Sequence, residues 1–447
     1  MAKLKTKAPL PAILLIAAFL CPTEFSLYIS GLRLPPHRVA LILLFPFAIW
    51  KLLAQRGLKF RTFDLAFIAF NVWTVGIYMY HLGQDEGLVF GGSLALESLG
   101  SYLVARAWIR DIDIFKATLR IMALAVAAAA LIALPETLLG QTFTHDFLKT
   151  VTGYVHPTAV ETRLHLTRAY GTFDHPIHYG TFCAALLAMF WYSETRPKDR
   201  YKRVALLAGA TFLGLSSAPI LCLILQSAML LWEHQTRGIK SRTAITLAVL
   251  AGLYAGASLV MSRSPINFIA TGMTLDSWTG YYRLQIWENG LLNVYANPWT
   301  GIGLNDWERP WWMASSTVDA FWLVTMLRAG VPALLLLICG IVLLTRSVKR
   351  RGLTHPDFAV RRLARGWTMS LIALVLVGTT VHFWNVLHAF LFFFFGLAGW
   401  MADPRRVKVK AKVKTAPQMR PYHTQPQGPR PIAPLPPSGP VPAGMTL

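Results

Sequence analysis

Apolar residues in this chain come in long unbroken runs, separated by short basic or polar stretches. PAILLIAAFL, IMALAVAAAALIAL and PALLLLICGIVLL are three of them. A run of about 17–25 such residues is enough to carry a helix across a hydrocarbon core of about 30 Å. The ten-residue alternation of a membrane barrel is absent. The pattern predicts an all-α, polytopic membrane protein with about 12 spans, near 9–30, 39–54, 63–80, 87–105, 117–136, 176–193, 203–216, 218–232, 243–262, 317–345, 367–382 and 385–402. The first span follows MAKLKTK and resembles a signal peptide, but no small-x-small cleavage site follows it, so it is expected to stay in place.

Composition agrees: 54% of the 447 residues are hydrophobic and 14% are charged. The net charge of +22 could suggest nucleic acid, but its distribution gives another reason. With the N-terminus inside, most of the 43 Lys and Arg residues fall on the inner connections, among them ETRPKDRYKR, EHQTRGIKSR and SVKRRGLTHPDFAVRRLARG. That is the positive-inside bias, and it implies contact with anionic membrane lipids and no nucleic-acid partner. Both termini are expected in the cytoplasm. Residues 1–402 form the membrane domain. Residues 403–447, basic and then proline-rich, form a tail that cannot bury enough apolar surface to order itself. Cys21, Cys183, Cys222 and Cys339 lie in or beside apolar runs and show no metal-ligand spacing.

Two outer segments are long, about 137–175 and 263–316, and long connections tend to be functional or disordered. The first ends in RAYGTFDHPIHYGTF, where Arg168, Asp174, His175 and His178 run straight into an apolar stretch. His175 and His178 share a helix face. Three readings stand: Asp174 caps the helix with the histidines at headgroup level, the cluster rims an active site, or Asp174, His175 and His178 bind a metal. No further ligand at diagnostic spacing supports the third, and no metal or cofactor is expected. The second segment holds Trp278, Trp287, Trp299, Trp307, Trp311 and Trp312. Such density suits a membrane interface belt, and it equally suits stacking on sugar rings, with Trp287, Trp307 and Trp311 as candidates. Ile286, Leu291, Leu292 and Val294 predict a short amphipathic helix, broken at Asn297-Pro298 and followed by a turn at Gly301 and Gly303. Asp319 marks the outer end of the tenth span. Arg328 lies about 14 Å deeper if helical, either as a site residue or in a structural pair, for example with Glu97.

Arg168, Arg283, Arg328 and Asp319 thus gather on the outer side. Arginine forks match phosphate oxygens, and a carboxylate or histidine can serve as a base. A polyprenyl-diphosphate sugar fits this layout, with its tail in the bilayer, its diphosphate at the surface and its sugars outside.

Three motifs carry a family resemblance: RAYGTFDHPIHYGTF, YYRLQIW…NPWTGIG and STVDAFWLVTMLRAGVP. In their order and spacing over roughly 15–400, the chain resembles the O-antigen ligase and polymerase superfamily, in particular its exopolysaccharide-polymerase branch. The resemblance implies a metal-independent glycosyltransferase at the periplasmic face of a bacterial inner membrane. It would move an oligosaccharide from undecaprenyl diphosphate to an acceptor, with a chain-length regulator or export complex as a further partner. It assigns Arg168 and Arg283 to the diphosphate. Ligases of the family carry His-Asn where this chain has Val318-Asp319-Ala320, a departure that favours the polymerase branch. Asp319 is then the candidate base, with His175 and His178 as competitors. A transporter of lipid-linked sugars or small solutes is the rival reading. Against it stand the absence of repeated halves and the aromatic outer segment.

Overall fold

A computed structural model of the chain describes residues 6–29, 32–54, 60–155, 160–239, 241–260 and 277–403. These residues are mostly helical. In chain order the helices are α1 (Leu10–Leu20), α2 (Pro36–Ala54), α3 (Thr62–Leu82), α4 (Gln84–Trp108), α5 (Ile112–Leu139), α6 (Phe143–Thr152), α7 (Pro176–Ala184) and α8 (Leu187–Ser193). They continue as α9 (Pro197–Leu213), α10 (Ser217–Gln235), α11 (Arg242–Val260), α12 (Ser277–Ala296), α13 (Phe321–Arg351), α14 (Phe358–Val377) and α15 (Asn385–Ala402). Two small antiparallel hairpins, β1 (Leu27–Ile29) with β2 (Leu32–Leu34) and β3 (Thr162–Arg163) with β4 (Leu166–Thr167), decorate the connections. Seven of the helices, α2, α3, α4, α5, α10, α13 and α15, are long and apolar enough to cross a membrane. The protein is therefore read as a multi-pass membrane protein, as its hydropathy predicts. The tail from residue 404 on, and residues 261–276 of the second long segment, lie outside the described residues.

The last helix, α15, sits at the centre. A helix that is apolar on every side has no face to give to water, and it packs on all sides. Its phenylalanines meet partners from four directions. Phe390 and Phe393 meet Phe19 of α1, Phe392 and Phe395 stack on Phe70 and Phe67 of α3, Phe390 meets Phe182 of α7, and Phe394 stacks on Trp367 of α14. One polar residue breaks this surface. His388 Nδ1 lies 3.4 Å from Glu97 of α4, a fully buried carboxylate that also meets His37 Nε2 at 3.1 Å and Arg38 Nε at 2.7 Å. Glu97 stands in a π-turn, Leu96–Gly100, a local widening that re-aims side chains within a helix.

Several expected spans are interrupted, each for a visible reason. The run 9–30 is helical only to Leu20, because Pro22 lacks an N–H and the chain turns into a 3-10 turn and the first hairpin. The run 176–193 is split at Ala185–Leu186 into α7 and α8. Gln226 of α10 seals the gap, its amide donating to the Ala184 carbonyl and its carbonyl accepting from Ala188 N and Ser370 Oγ. The run 367–382 is helical to Val377, and 378–384 leaves the helix to form a loop. The run 317–345 starts its helix at Phe321 and is broken at Gly330, which takes φ 80° and ψ 168°. Into that break fits the NPWTGIG turn: Val331 N donates to Pro298 O, Ile302 N to Leu327 O and Gly303 N to Arg328 O.

The connecting segments meet in two sets. In one, Arg106 and Arg61 converge on Asp403, Arg203 pairs with Glu194, and Arg365 pairs with Glu233. In the other, Thr23 and Asn385 bind Asp174, His145 pairs with Glu24, and Ala169 N donates to Leu213 O. The arginine-rich connections fall in the first set, and the long segment 137–175 in the second. The described parts of the long segments are folded: 137–175 contains α6 and a hairpin, and 277–296 is the helix expected around Ile286 and Val294, both of which are buried.

Gly330 predicts a measurable cost. A side chain there would be strained by the positive φ and would meet the Trp299 carbonyl oxygen, so Gly330→Ala should destabilise by about 3 kcal/mol or more. At Gly76 an added Cβ meets nothing within 4 Å, so Gly76→Ala should be neutral or stabilise by about 1 kcal/mol. Thermal unfolding in detergent compares the two.

Candidate functional site

The segment 168–175 is a strap held from both sides. Glu136, near the C-terminal end of α5, accepts from Tyr170 N at 3.0 Å and Gly171 N at 2.8 Å. Gly171 needs its φ of 61° there, and a Cβ would press on the Tyr179 ring. Asp174 accepts from Thr23 Oγ1 at 2.6 Å and from Asn385 Nδ2 at 2.8 Å, tying the strap to the N-terminal turn and to the start of α15. The cap of α7 is therefore His175 and not Asp174: His175 Nδ1 accepts from Ile177 N at 3.1 Å. A neutral ring with its Nδ1 lone pair engaged carries its proton on Nε2.

A cavity of about 360 Å³ opens beside the strap, lined in part by Glu161, Arg163, Arg168, His175, Arg283 and Asp319. Ser216, Ser217 and Ala218 at the start of α10, Ile177 in α7, and Thr380, His382 and Trp384 in the 378–384 loop also line it. Two helix N-termini, α7 and α10, thus border the cavity, and helix N-termini favour anions. Arg168, Arg283 and Asp319 come from three separate segments, and the fold brings them to one wall.

The charges are only partly balanced by the protein. Arg168 is buried, pairs with the exposed Glu161 through Nη1, and donates to Ser216 Oγ through Nη2 at 2.8 Å. The Nε atoms of Arg168 and Arg283 are buried and have no partner among the described residues. Burial pulls Arg283 below its ordinary value, against the attraction of Asp319 and with the repulsion of Arg168. Burial also raises the Asp319 carboxyl above its ordinary value, opposed by Arg283. His382 is pushed down to about 3 by burial, helped by His388 and Arg328, so it borders the cavity as a neutral imidazole. Two guanidinium groups with unspent donors and one carboxylate of raised proton affinity can hold an anionic leaving group and take a proton.

The other candidates lie elsewhere. His178 is buried behind the wall, its Nε2 donating to His382 O at 3.1 Å and its ring against Trp384. Arg328 does not reach Glu97 and does not line the cavity. It donates to the carbonyls of Gly303 and Asn305, locking the glycine turn onto α13. Trp287 donates to Thr379 O at 2.8 Å and fixes the loop that carries Thr380 and His382. Trp307 is buried, bonded to Ser316 O, with Arg309 over its ring. Trp311 is 93% exposed and away from the cavity. Three tryptophans chosen as sugar platforms thus divide into two structural anchors and one solvent-facing ring. Asp174, His175 and His178 each have separate protein partners, and among the described residues no three His, Cys, Asp or Glu side chains group as metal ligands.

Glu161, Ser216, Glu136, His382 and Trp384 are additions that sequence reasoning missed. Only Glu136 left a signal, an acidic residue near the end of an apolar run. No protein-family model matches the chain, and a search of curated proteins finds no match.

The electrostatics predict a titration. Because Arg283 lowers a carboxyl that burial raises, Arg283→Gln should move the Asp319 pKa further up. Carbodiimide labelling of Asp319 across pH, read by mass spectrometry, measures it. An unmoved or lowered midpoint would separate the two residues.

Proposed function

We propose that the protein is a membrane glycosyltransferase of the O-antigen ligase and polymerase type. It polymerises or ligates undecaprenyl-diphosphate-linked oligosaccharides at the periplasmic face of a bacterial inner membrane. The observation that carries this reading is the meeting of Arg168, Arg283 and Asp319 in one cavity bordered by two helix N-termini. In this reading about 12 spans, with both termini cytoplasmic, put that cavity outside, where the lipid-linked donor presents its diphosphate.

The reaction follows from the groups present. Arg283 and Arg168 bind the diphosphate, whose oxygens replace the exposed Glu161 on Arg168 and satisfy the Nε donors. As the bond between the anomeric carbon and the diphosphate oxygen breaks, its electron pair leaves with the diphosphate, and the guanidinium groups stabilise the added charge. The acceptor hydroxyl attacks from the opposite face and passes its proton to Asp319. A single displacement inverts the anomeric centre. His175 is the weaker base, since its Nδ1 is engaged in the helix cap.

Arg283→Ala should abolish polymer at normal protein level, and Arg283→Lys should restore little, because an ammonium lacks the fork. Asp319→Asn should bind lipid-linked substrate and fail to transfer it, by a factor of about 10² or more. Polymer synthesis in cells carrying each variant, with lipid-linked intermediates resolved by mass spectrometry, checks both. Single unpolymerised repeats should accumulate outside in a polymerase mutant and full unattached chains in a ligase mutant. No outer intermediate would point to transport.

A further inference from the structure

At the opposite end of α10 from the first cavity lies a second, of about 460 Å³, which the reaction above does not use. Trp191 and Tyr192 of α8, Arg200 of α9, Glu233 and Arg237 at and beyond the end of α10, and Phe358, Arg362 and Arg365 of α14 form its wall. Sequence places all of these but Trp191 and Tyr192 in three basic connections whose evident role is orientation. The fold folds all three onto one concavity.

Four guanidinium groups face one carboxylate there. Arg365 Nη1 bonds Glu233 at 2.9 Å. Arg200 and Arg362 both donate to the Glu194 carbonyl, at 3.1 and 3.2 Å. Two cations sharing one neutral acceptor are brought close without being neutralised. Arg200 Nε is buried and has no partner among the described residues. Both side chains are held in place by aromatic rings, Arg200 over Trp191 at 4.9 Å and Arg362 near Tyr192 at 5.9 Å. A surface that only opposed anionic lipid would spread its charges into water. Here the forks of Arg200, Arg362 and Arg365 are held around a space, and like charges gathered there repel one another unless an anion enters.

We infer that the Arg200, Arg237, Arg362 and Arg365 cavity is a phosphate-binding site. Planar guanidinium forks match tetrahedral phosphate oxygens, and several of them neutralise a phosphate ester where one carboxylate is already spent on Arg365. The phosphate arrives either on an anionic phospholipid or on a soluble phosphate ester. The first is the chemistry the surroundings suit, because the cavity sits at the ends of apolar helices and its aromatic rim can accept a glycerol backbone. Ser217 and Glu233, which line the two cavities, are 16 residues apart on α10, about 24 Å along the helix, so occupancy here does not obstruct the first site. The inference is independent of sugar transfer.

The test uses the full-length protein purified in a neutral detergent. Phosphatidylglycerol, diacylglycerol of the same chains, and glycerol phosphate are titrated separately, with thermal stability and native mass spectrometry as readouts. Phosphatidylglycerol should bind and stabilise where diacylglycerol does not. Equal stabilisation by glycerol phosphate alone would make the soluble ester the occupant of the same site. Arg200→Gln and Arg362→Gln should each weaken binding about tenfold, the worth of one charge-assisted hydrogen bond. Lys349→Gln, which removes an exposed basic residue outside the cavity, should leave it unchanged. Arg362→Lys, which keeps the charge, should still weaken binding and serves if a glutamine variant does not fold. Binding that ignores the phosphate, survives every arginine change, or falls as far with Lys349→Gln would overturn the site.

Discussion

Every break in a helix buried among apolar neighbours must find replacements for the backbone hydrogen bonds it gives up. No water is at hand, and an unsatisfied peptide group costs several kcal/mol in such surroundings. This molecule breaks its helices repeatedly and meets the demand each time with a named partner. Gln226 spans the gap between α7 and α8, the glycine turn fills the break at Gly330, and Trp73 Nε1 donates to the freed Ala329 carbonyl. The loop after α14 gives the Gly378 carbonyl to Phe321 N, the first amide of α13, and the Thr379 carbonyl to Trp287. The breaks gather polar groups, and the candidate site is built where three of them meet: the strap before α7, the turn before α10 and the loop before α15.

Rigidity behind that site comes from the central helix. Within a bilayer, apolar side chains gain little from avoiding lipid, so association rests on close packing and on buried polar contacts. The phenylalanine contacts of α15 supply the packing. The Glu97 cluster supplies the polar contact: it joins α2, α4 and α15 through His37, Arg38 and His388. A carboxylate with no exposure would be costly alone, and three basic partners offset its desolvation while fixing the register of three helices. The same α15 begins at Asn385, which binds Asp174 and so hangs the strap on the core. Packing in the interior is thereby passed to the wall of the cavity.

The two arginine-lined cavities differ in a physically informative way. In the one beside the strap, arginines stand with a raised-pKa carboxylate and a neutral His382, a mixture suited to chemistry. In the other, arginines and aromatic rings surround a single carboxylate already engaged, a mixture suited to holding an anion. One helix, α10, reaches both, and its length keeps the segments that frame them apart.

Long apolar runs determined by themselves that the chain forms apolar helices of membrane-crossing length, since in lipid only a helix satisfies its backbone hydrogen bonds within one segment and the alternation of a barrel is absent. Arg168, Arg283 and Asp319 were legible as candidates because charge beside an apolar run is costly and therefore conspicuous. The roles of Arg328, Trp287, Trp307 and His178 were not legible. The same cost is met by a backbone carbonyl or by a ligand, and residue type alone does not tell which. Only tertiary structure decided that Arg328 clasps a glycine turn, that Trp287 and Trp307 are anchors, and that Asp174 ties elements together while His175 caps α7. It also decided that Glu161, Ser216 and His382 reach the cavity. Hydropathy is a property of neighbours along the chain, whereas a site is made by residues whose closeness depends on how distant helices break and pack.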